Sequence, residues 1–156
     1  MAYTDIITLA DAKTYLRIDD TLTEDDAQIT RMIKASLSQI ERATNYILFA
    51  RAKSYVVENL SVNVYDFPIN SLTTPTTATS VEKSIYTTYT TIVSTDLKVT
   101  LNVGYATPSD VPSDLVEVAF EMIDLMYYSP ETGKSIKSNL SELSKMVLSN
   151  YKRFFI

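Results

Sequence analysis

The spacing of apolar residues along the chain changes twice. It is helical through about the first 50 residues, alternates from residue 51 to 103, and becomes helical again beyond residue 104. Apolar residues three and four apart indicate an amphipathic helix, whereas strict alternation indicates a strand with one solvated face. The pattern therefore predicts an α+β fold that is mainly α, a bundle of about four helices with a β-hairpin-rich insertion between the second and third helices.

Two helices are predicted before the insertion. Thr8, with Asp11 three residues later, has the spacing of a capping box and precedes a short helix that ends around Arg17. A longer amphipathic helix follows and ends near Asn45. These first 50 residues form the N-terminal part of the predicted domain.

The second helix is preceded by a cluster of acidic residues. Thr23 and Asp26 have the spacing of a second capping box, and acidic side chains suit the positive end of a helix dipole. A calcium loop would need a glycine and a closing bidentate Glu, both missing here. Capping is therefore favoured over metal binding for Asp19, Asp20, Glu24, Asp25 and Asp26.

The insertion, residues 51–103, alternates most clearly in two runs. Leu60, Val62 and Val64 are predicted to face one way, and so are Leu97, Val99, Leu101 and Val103. Between the runs lies a Thr-rich stretch, residues 72–80, which the composition predicts to be a mobile loop. It is too short to divide the chain into domains.

A third helix is predicted from about Pro112 to Tyr128, within a segment that covers residues 104–138. It is apolar on nearly every side, so it needs cover from its own domain, from neighbouring copies, or from both. Its polar residues form one narrow stripe, made by Glu117, Glu121, Asp124 and Tyr128. The stripe is either a solvated face, or a surface that meets a neighbouring copy or lines a lumen.

The last segment, residues 139–156, is predicted to hold a helix from about Asn139 and an apolar end. Leu140, Leu143, Val147 and Tyr151 share one face of that helix. The closing residues Phe154, Phe155 and Ile156 are costly to leave in water. They either dock on the chain's own core or insert into a groove of a partner.

Composition excludes several kinds of chemistry. The chain of 156 residues has no Cys and no His, which excludes a disulfide framework, a Ser-His-Asp triad and the ordinary zinc sites. Its net charge of −5 argues against a duplex-binding module. No apolar run reaches the length of a membrane span. A small enzyme using Glu117, Glu121 or Asp124 as acid and base is the remaining catalytic alternative, and neither a cofactor nor a metal is expected.

Several blocks of the chain, in order, resemble the tailed-phage head–tail connector family, also called head-completion or adaptor proteins. The first are Leu9–Lys13 and Tyr15–Asp19, followed by Glu24–Asp26 and the helix that ends in Glu41-x-x-Thr44. Further blocks are Phe67–Leu72, the Gly104-Tyr105 turn, Val111-Pro112-x-x-Leu115, Leu125–Tyr127 and Leu143–Phe155. The chain departs from the family at Tyr128-Ser129-Pro130, where the family often has Arg and Glu.

The resemblance implies a non-enzymatic ring, typically of twelve copies, beneath the portal of a virion. A single connector domain spanning residues 1–156 would extend the DNA channel, contact tail or second adaptor proteins, and pass DNA without reading its sequence. It would be assembled in the host bacterial cytoplasm and lie at the head–tail junction, with no membrane contact. A tail terminator or tail-completion protein is the alternative in the same structural class.

The resemblance also implies roles for three groups of residues. The segment expected to dock on the portal is Tyr151, Lys152, Arg153, Phe154, Phe155 and Ile156. The candidates for ring contacts or the lumen are Glu117, Glu121 and Asp124. The loop expected to face the tail or the lumen is Thr73, Thr74, Pro75, Thr76 and Thr77.

Overall fold

A computed structural model describes residues 2–74, 79–81, 89–129 and 139–152 of the chain. It confirms the mixture of helices and strands that the hydrophobic pattern predicts. The described residues divide into two compact units. Residues 2–44 and 108–152 form the first, which we call the helical unit, and residues 45–107 form the second, which we call the β unit.

The helical unit contains the segments whose apolar residues have helical spacing, together with a short N-terminal helix that the sequence did not predict. A 3₁₀ turn at Pro108–Asp110 leads into the second half of this unit. The helices are α1 (Tyr3–Ile6), α2 (Leu9–Leu16), α3 (Asp26–Thr44), α4 (Ser113–Tyr128) and α5 (Glu142–Tyr151). No helix in the described ranges is both long enough and apolar enough to cross a membrane.

The first predicted capping box is confirmed at the start of α2. The Asp11 N–H donates to Thr8 Oγ1 at 3.1 Å, and the Thr8 N–H donates to Asp11 Oδ2 at 3.1 Å. The helix ends at Arg17, which has a left-handed backbone with φ 58°. This reciprocal pair satisfies two N–H groups that the first helical turn would otherwise leave unpaired.

The second predicted box does not form, because α3 begins only at Asp26. Glu24 and Asp25 lie in the turn before the helix, where the Asp26 N–H donates to the carbonyl of Thr23 at 3.3 Å. The Asp26 carboxylate instead pairs with Lys13 at 2.6 Å. Asp26, which the local pattern assigned to the helix cap, is therefore paired with a lysine of α2.

The core of the helical unit lies where α3 and α4 pack against each other. Each helix supplies a fully buried apolar face, so that the apolar character of α4 is largely explained within its own unit. The principal buried residues are Ile29, Ile33, Leu37, Ile40, Leu115, Val118, Ala119, Met122 and Ile123.

The β unit holds two three-stranded antiparallel sheets. Its strands are β1 (Arg51–Val56), β2 (Ser61–Val64), β3 (Ile69–Thr74), β4 (Thr79–Val81), β5 (Thr90–Val93) and β6 (Lys98–Val103). One sheet has the order β1-β6-β3 and the other β2-β5-β4. Of the described strand pairs, only β4 and β5 follow each other along the chain. The pairing is therefore mostly non-local, where the sequence predicted mainly hairpins.

The alternation in β6 is confirmed, whereas the two leucines at the ends of the predicted runs are not part of it. Val99, Leu101 and Val103 are all buried in the core of the β unit. Leu60 lies in a turn and Leu97 in a bend, and both side chains are exposed. The alternation predicts strand residues correctly only as far as the backbone stays extended.

The Thr-rich stretch is only partly a loop. Leu72, Thr73 and Thr74 belong to β3, in which Leu72 pairs with Leu101 and Thr74 with Thr100 of β6. Thr79 and Ser80 belong to β4. The prediction of a loop over residues 72–80 is therefore wrong at both ends, since β-branched threonines suit a pleated strand, and residues 75–78 lie outside the described ranges.

Gly104 directly follows β6, at a point where two backbone segments come very close. It has φ 108°, and a Cβ placed on it would overlap the carbonyl of Phe49. Its N–H donates to the carbonyl of Pro68 at 2.8 Å, and its own carbonyl accepts from the Asn70 side-chain amide at 2.5 Å. Only glycine suits both this backbone conformation and this distance.

Candidate functional site

The acidic face of α4 is the first of the predicted surfaces. Glu117 is exposed, while Glu121 and Asp124 are half-buried. Partial burial raises the pKa of the Tyr15 hydroxyl, and the negative charges of the three acids raise it further. The Tyr15 hydroxyl therefore lies within electrostatic range of the three carboxylates, of which only Glu117 is fully open to solvent.

Glu121 links α4 to the beginning of α5. The Ser141 N–H donates to Glu121 Oε1 at 2.5 Å and the Ser141 hydroxyl to Oε2 at 2.9 Å. The Ser144 hydroxyl makes a further, short hydrogen bond to the same Oε2. A carboxylate at this end of a helix also interacts favourably with the helix dipole.

The surroundings of Glu121 favour its ionised form. Burial alone would raise the pKa of the carboxyl, but the hydrogen bonds from Ser144 and Ser141 outweigh it, so that the pKa is lowered. Both carboxylate oxygens already accept bonds from α5, an arrangement that suits a structural tie between two helices.

An open groove of about 570 Å³ lies beside Asp124 in the helical unit, and Tyr15, Leu16, Arg17 and Tyr128 complete its lining. The Tyr15 ring stacks on Phe120 with 4.9 Å between ring centroids. The Tyr128 hydroxyl donates to the carbonyl of Leu16 at 2.7 Å. Tyr128, which the sequence placed in the acidic stripe, thus ties α4 to the end of α2.

A second groove of about 380 Å³ adjoins the turn between α2 and α3, and Arg17 lines both grooves. On this side the Tyr127 hydroxyl donates to Asp25 Oδ2 at 2.7 Å. Tyr and Arg side chains around a shallow groove are typical of protein contact surfaces.

Three acids of the cluster before α3 each bind a different partner. Asp19 Oδ1 accepts from the Thr21 N–H at 2.8 Å, Asp25 accepts from Tyr127, and Asp26 pairs with Lys13. The described part of the chain contains no group of three or more acidic side chains placed to hold a metal ion. None of these three contacts is the predicted capping contact, because Asp19 binds within its own turn and Asp25 and Asp26 bind side chains of α4 and α2.

Lys13 is a structural residue whose role the sequence analysis missed. Its side chain is only 4% exposed, and its ammonium contacts Asp26 at 2.6 Å and the carbonyls of Leu22 and Asp20 at 2.5 and 3.2 Å. A signal was present, because Lys13 lies four residues after Leu9 and three before Leu16, on the apolar face of α2. It fixes the turn between α2 and α3.

The C-terminal helix turns a different face inward from the one predicted. Ser144 and Leu148 are buried, whereas Leu143 is 66% exposed. The predicted face of Leu140, Leu143, Val147 and Tyr151 is therefore wrong at Leu143. The hydrogen bond of Ser144 to Glu121 rotates α5 away from the purely apolar pattern.

Of the six residues predicted to dock on a portal, the structure describes two. The Tyr151 hydroxyl donates to Asp114 Oδ1 at 3.0 Å, which ties the end of α5 to the start of α4. Lys152 follows the helix and is exposed. Arg153, Phe154, Phe155 and Ile156 lie outside the described residues.

Of the five residues predicted to face the tail or the lumen, the structure describes two. Thr73 lies in β3 and is exposed, and Thr74 is the last residue of that strand. Pro75, Thr76 and Thr77 lie outside the described ranges.

Comparison with known proteins identifies the family. A model of the phage gp6-like head-tail connector proteins matches residues 6–96, which is more than half of the chain. The chain belongs to this family. It is therefore a structural adaptor of the virion neck, at the head–tail junction. No curated protein matches the sequence.

Solved structures of chains in gene transfer agent particles share the fold. A chain in the neck of an empty gene transfer agent particle, computed with C6 symmetry, superposes with a TM-score of 0.76 at 16% identity, over 99% of this chain and 92% of that one. A chain in the native virion gives 0.74 at 16% identity, over 100% and 94%. A chain in the native neck, computed with C12 symmetry, gives 0.72 at 14% identity, over 99% and 92%.

Proposed function

We propose that this connector forms a ring between the portal and the tail and extends the channel through which DNA passes. The observation that carries the proposal is the family match across residues 6–96. The C6 and C12 symmetries of the similar necks support a ring, and twelve copies is the number we propose. The net charge of −5 suits a wall that DNA passes without being bound.

Both compact units act together in this proposal, as one connector domain of residues 1–156. Tail or second adaptor proteins bind on the side opposite the portal, and the segment from Thr73 to Thr77 faces them or the lumen. The protein has no catalytic role. The engagement of both Glu121 oxygens by α5 supports a structural part for that acid.

The acids of α4 take different parts in the ring. Glu117 is exposed and Asp124 lines the groove with Arg17, so both are available to a neighbouring copy or to the lumen. Glu121 contributes indirectly, because it holds α5 in place.

The C-terminal segment docks on the portal through Tyr151, Lys152, Arg153, Phe154, Phe155 and Ile156. The Tyr151–Asp114 hydrogen bond shows where a clean truncation can be made. Deleting residues 153–156 leaves α5 and this bond intact. We expect the deletion to abolish portal binding while the circular dichroism spectrum and the unfolding temperature stay unchanged.

The matched control is Asn150→Ala, an exposed substitution near the end of α5 that should bind the portal normally. Portal binding by the truncated chain, measured by pull-down and calorimetry, would contradict the docking assignment. A parallel pull-down with tail tubes addresses the alternative. A chain that binds tubes and not portals is a tail terminator or tail-completion protein.

A further inference from the structure

One end of the β unit carries an exposed group of aliphatic side chains on two adjacent turns. The segment between β1 and β2 meets the segment between β5 and β6, because the Val57 N–H donates to the carbonyl of Leu97 and the Ser94 N–H to that of Leu60, both at 3.0 Å. We call residues 56–60 and 93–98 the sheet tip. Its exposed aliphatic residues are Val56, Leu60, Val93 and Leu97.

Leu60 occupies a position where local folding favours glycine. Glu58 and Ser61 exchange backbone hydrogen bonds at 3.1 Å in each direction, so that Asn59 and Leu60 are the two central residues of a tight turn. Both have positive φ, 51° and 65°. A turn of this kind prefers Asn-Gly, since glycine adopts the second position without steric cost.

Burial within its own chain does little to compensate Leu60 for this backbone strain. It is 61% exposed, and Leu97 beside it is 83% exposed. A strained backbone that holds an apolar side chain in water points to a contact with another molecule.

The outer face of α5 carries a second exposed apolar patch. Leu143 and Met146 lie one turn apart and are 66% and 54% exposed. Lys145 lies between them along the helix and pairs with Glu142 at 2.8 Å. We call Leu143, Lys145 and Met146 the outer α5 face.

We propose that the sheet tip of one copy docks on the outer α5 face of a second copy. A ring is closed by head-to-tail contacts, which need two different complementary patches on each copy, and this chain has one on each unit. The charged residues of the tip are Glu58, Asp96 and Lys98, and those beside Leu143 and Met146 are Glu142 and Lys145, so each surface carries both signs and can pair with the other. The inference rests on the ring proposed above and names the surfaces that close it.

The first test separates folding from association at Leu60. In Leu60→Gly the unfolding temperature should not fall, and should rise by up to about 2 °C, because the turn strain is relieved. Self-association of the purified full chain, measured by sedimentation velocity over a range of concentrations, should weaken at least tenfold. Thr95→Ala, an exposed substitution in the same tip, is the control and should change neither.

The second test uses the absence of cysteine from the sequence. Under mild oxidation, the double variant Leu97→Cys with Met146→Cys should give a ladder of covalently linked copies on a non-reducing gel. An equal mixture of the two single variants should give the mixed dimer in excess over either homodimer. Leu97→Cys with Lys34→Cys, on the exposed side of α3, is the control and should give no ladder.

Several results would overturn the proposal. These are a wild-type chain that stays monomeric at every concentration, association unaffected by Leu60→Gly, or a ladder no stronger than the control. Loss of portal or tail binding with copy association unchanged would assign the tip to that partner instead. Portal binding by the wild-type chain is measured separately, so that failure of the neck function and failure of this contact give different results.

Discussion

At the residue scale, Lys13 shows how one buried charge organises a turn. Its ammonium joins the Asp26 carboxylate to the carbonyls of Leu22 and Asp20, where the chain passes from α2 to α3. A buried cation is stable only when its donors are paired, and its removal leaves the acceptors unpaired.

Replacing the lysine should destabilise the helical unit. Lys13→Met keeps the length of the side chain but leaves Asp26 without its partner, and we expect a loss of about 2–3 kcal/mol in the free energy of unfolding, since Asp26 is only partly buried. Urea denaturation followed by circular dichroism measures it. Lys34→Met, on the exposed side of α3, should change the same quantity by less than about 0.5 kcal/mol. Equal losses of unfolding free energy in the two variants would show that Lys13 has no special role.

Gly104 is the corresponding position in the β unit. Gly104→Ala introduces a methyl group that meets the Phe49 carbonyl, at a φ that alanine rarely adopts. We expect a loss of about 2–4 kcal/mol in the free energy of unfolding, again measured by urea denaturation. Thr95→Ala is the control in the same unit and should be nearly neutral, because its side chain is exposed. A Gly104→Ala variant as stable as wild type would show that the close approach is easily relaxed.

At the element scale, polar contacts hold both ends of α5, beside the buried Leu148. Ser141 and Ser144 bind Glu121, and Tyr151 binds Asp114, so that α4 holds both ends of α5. The buried serine replaces an expected leucine on the inner face. A prediction from apolar residues alone therefore turns the wrong face of α5 towards the core.

The Glu121 contact predicts a dependence of stability on pH. The pKa of this carboxyl is lowered in the folded chain from an ordinary value of 4.5. The stabilisation is therefore complete above about pH 4.5 and is lost as the pH falls through the lower, folded-state pKa. Unfolding temperatures measured from pH 6 down to pH 3 should show this loss.

Glu121→Gln should lower the unfolding temperature at neutral pH and lose this component of the acid sensitivity. Glu117→Gln, on the same helix but open to solvent, is the control and should follow the wild-type profile. An acid profile of Glu121→Gln identical to that of wild type would contradict the assigned role.

Much of the element pattern could be predicted, and the errors have physical causes. The burial in β6 followed from periodicity, because apolar positions there coincide with regular backbone, and the helix predicted from about Pro112 to Tyr128 agrees with α4. Leu60 and Leu97 broke the pattern, because an exposed apolar residue has the same signature as a buried one. Ser144 was missed because its partner Glu121 is 23 residues away in the chain. Lys13 was missed although its spacing from Leu9 and Leu16 placed it on the apolar face of α2.

At the scale of the whole molecule, the apolar α4 first indicated a piece of an assembly, and much of its apolar surface is buried inside the helical unit. Among the described residues, most of the exposed large aliphatic and methionine side chains lie elsewhere, on the sheet tip and the outer α5 face. Neither was predicted from the sequence, since the pattern placed Leu60, Leu97 and Leu143 inward. We therefore expect assembly to depend on these two patches more than on the apolar side of α4.

The family identity rests on the match across residues 6–96, and the central claim built on it is a ring stacked on the portal. The most direct measurement is electron microscopy of the full chain mixed with the portal of the same virus. We predict a ring of this protein, of twelve copies, stacked on the axis of the portal with an open channel through both. Single copies scattered on the portal, or binding at the end of the tail tube and none at the portal, would contradict the account.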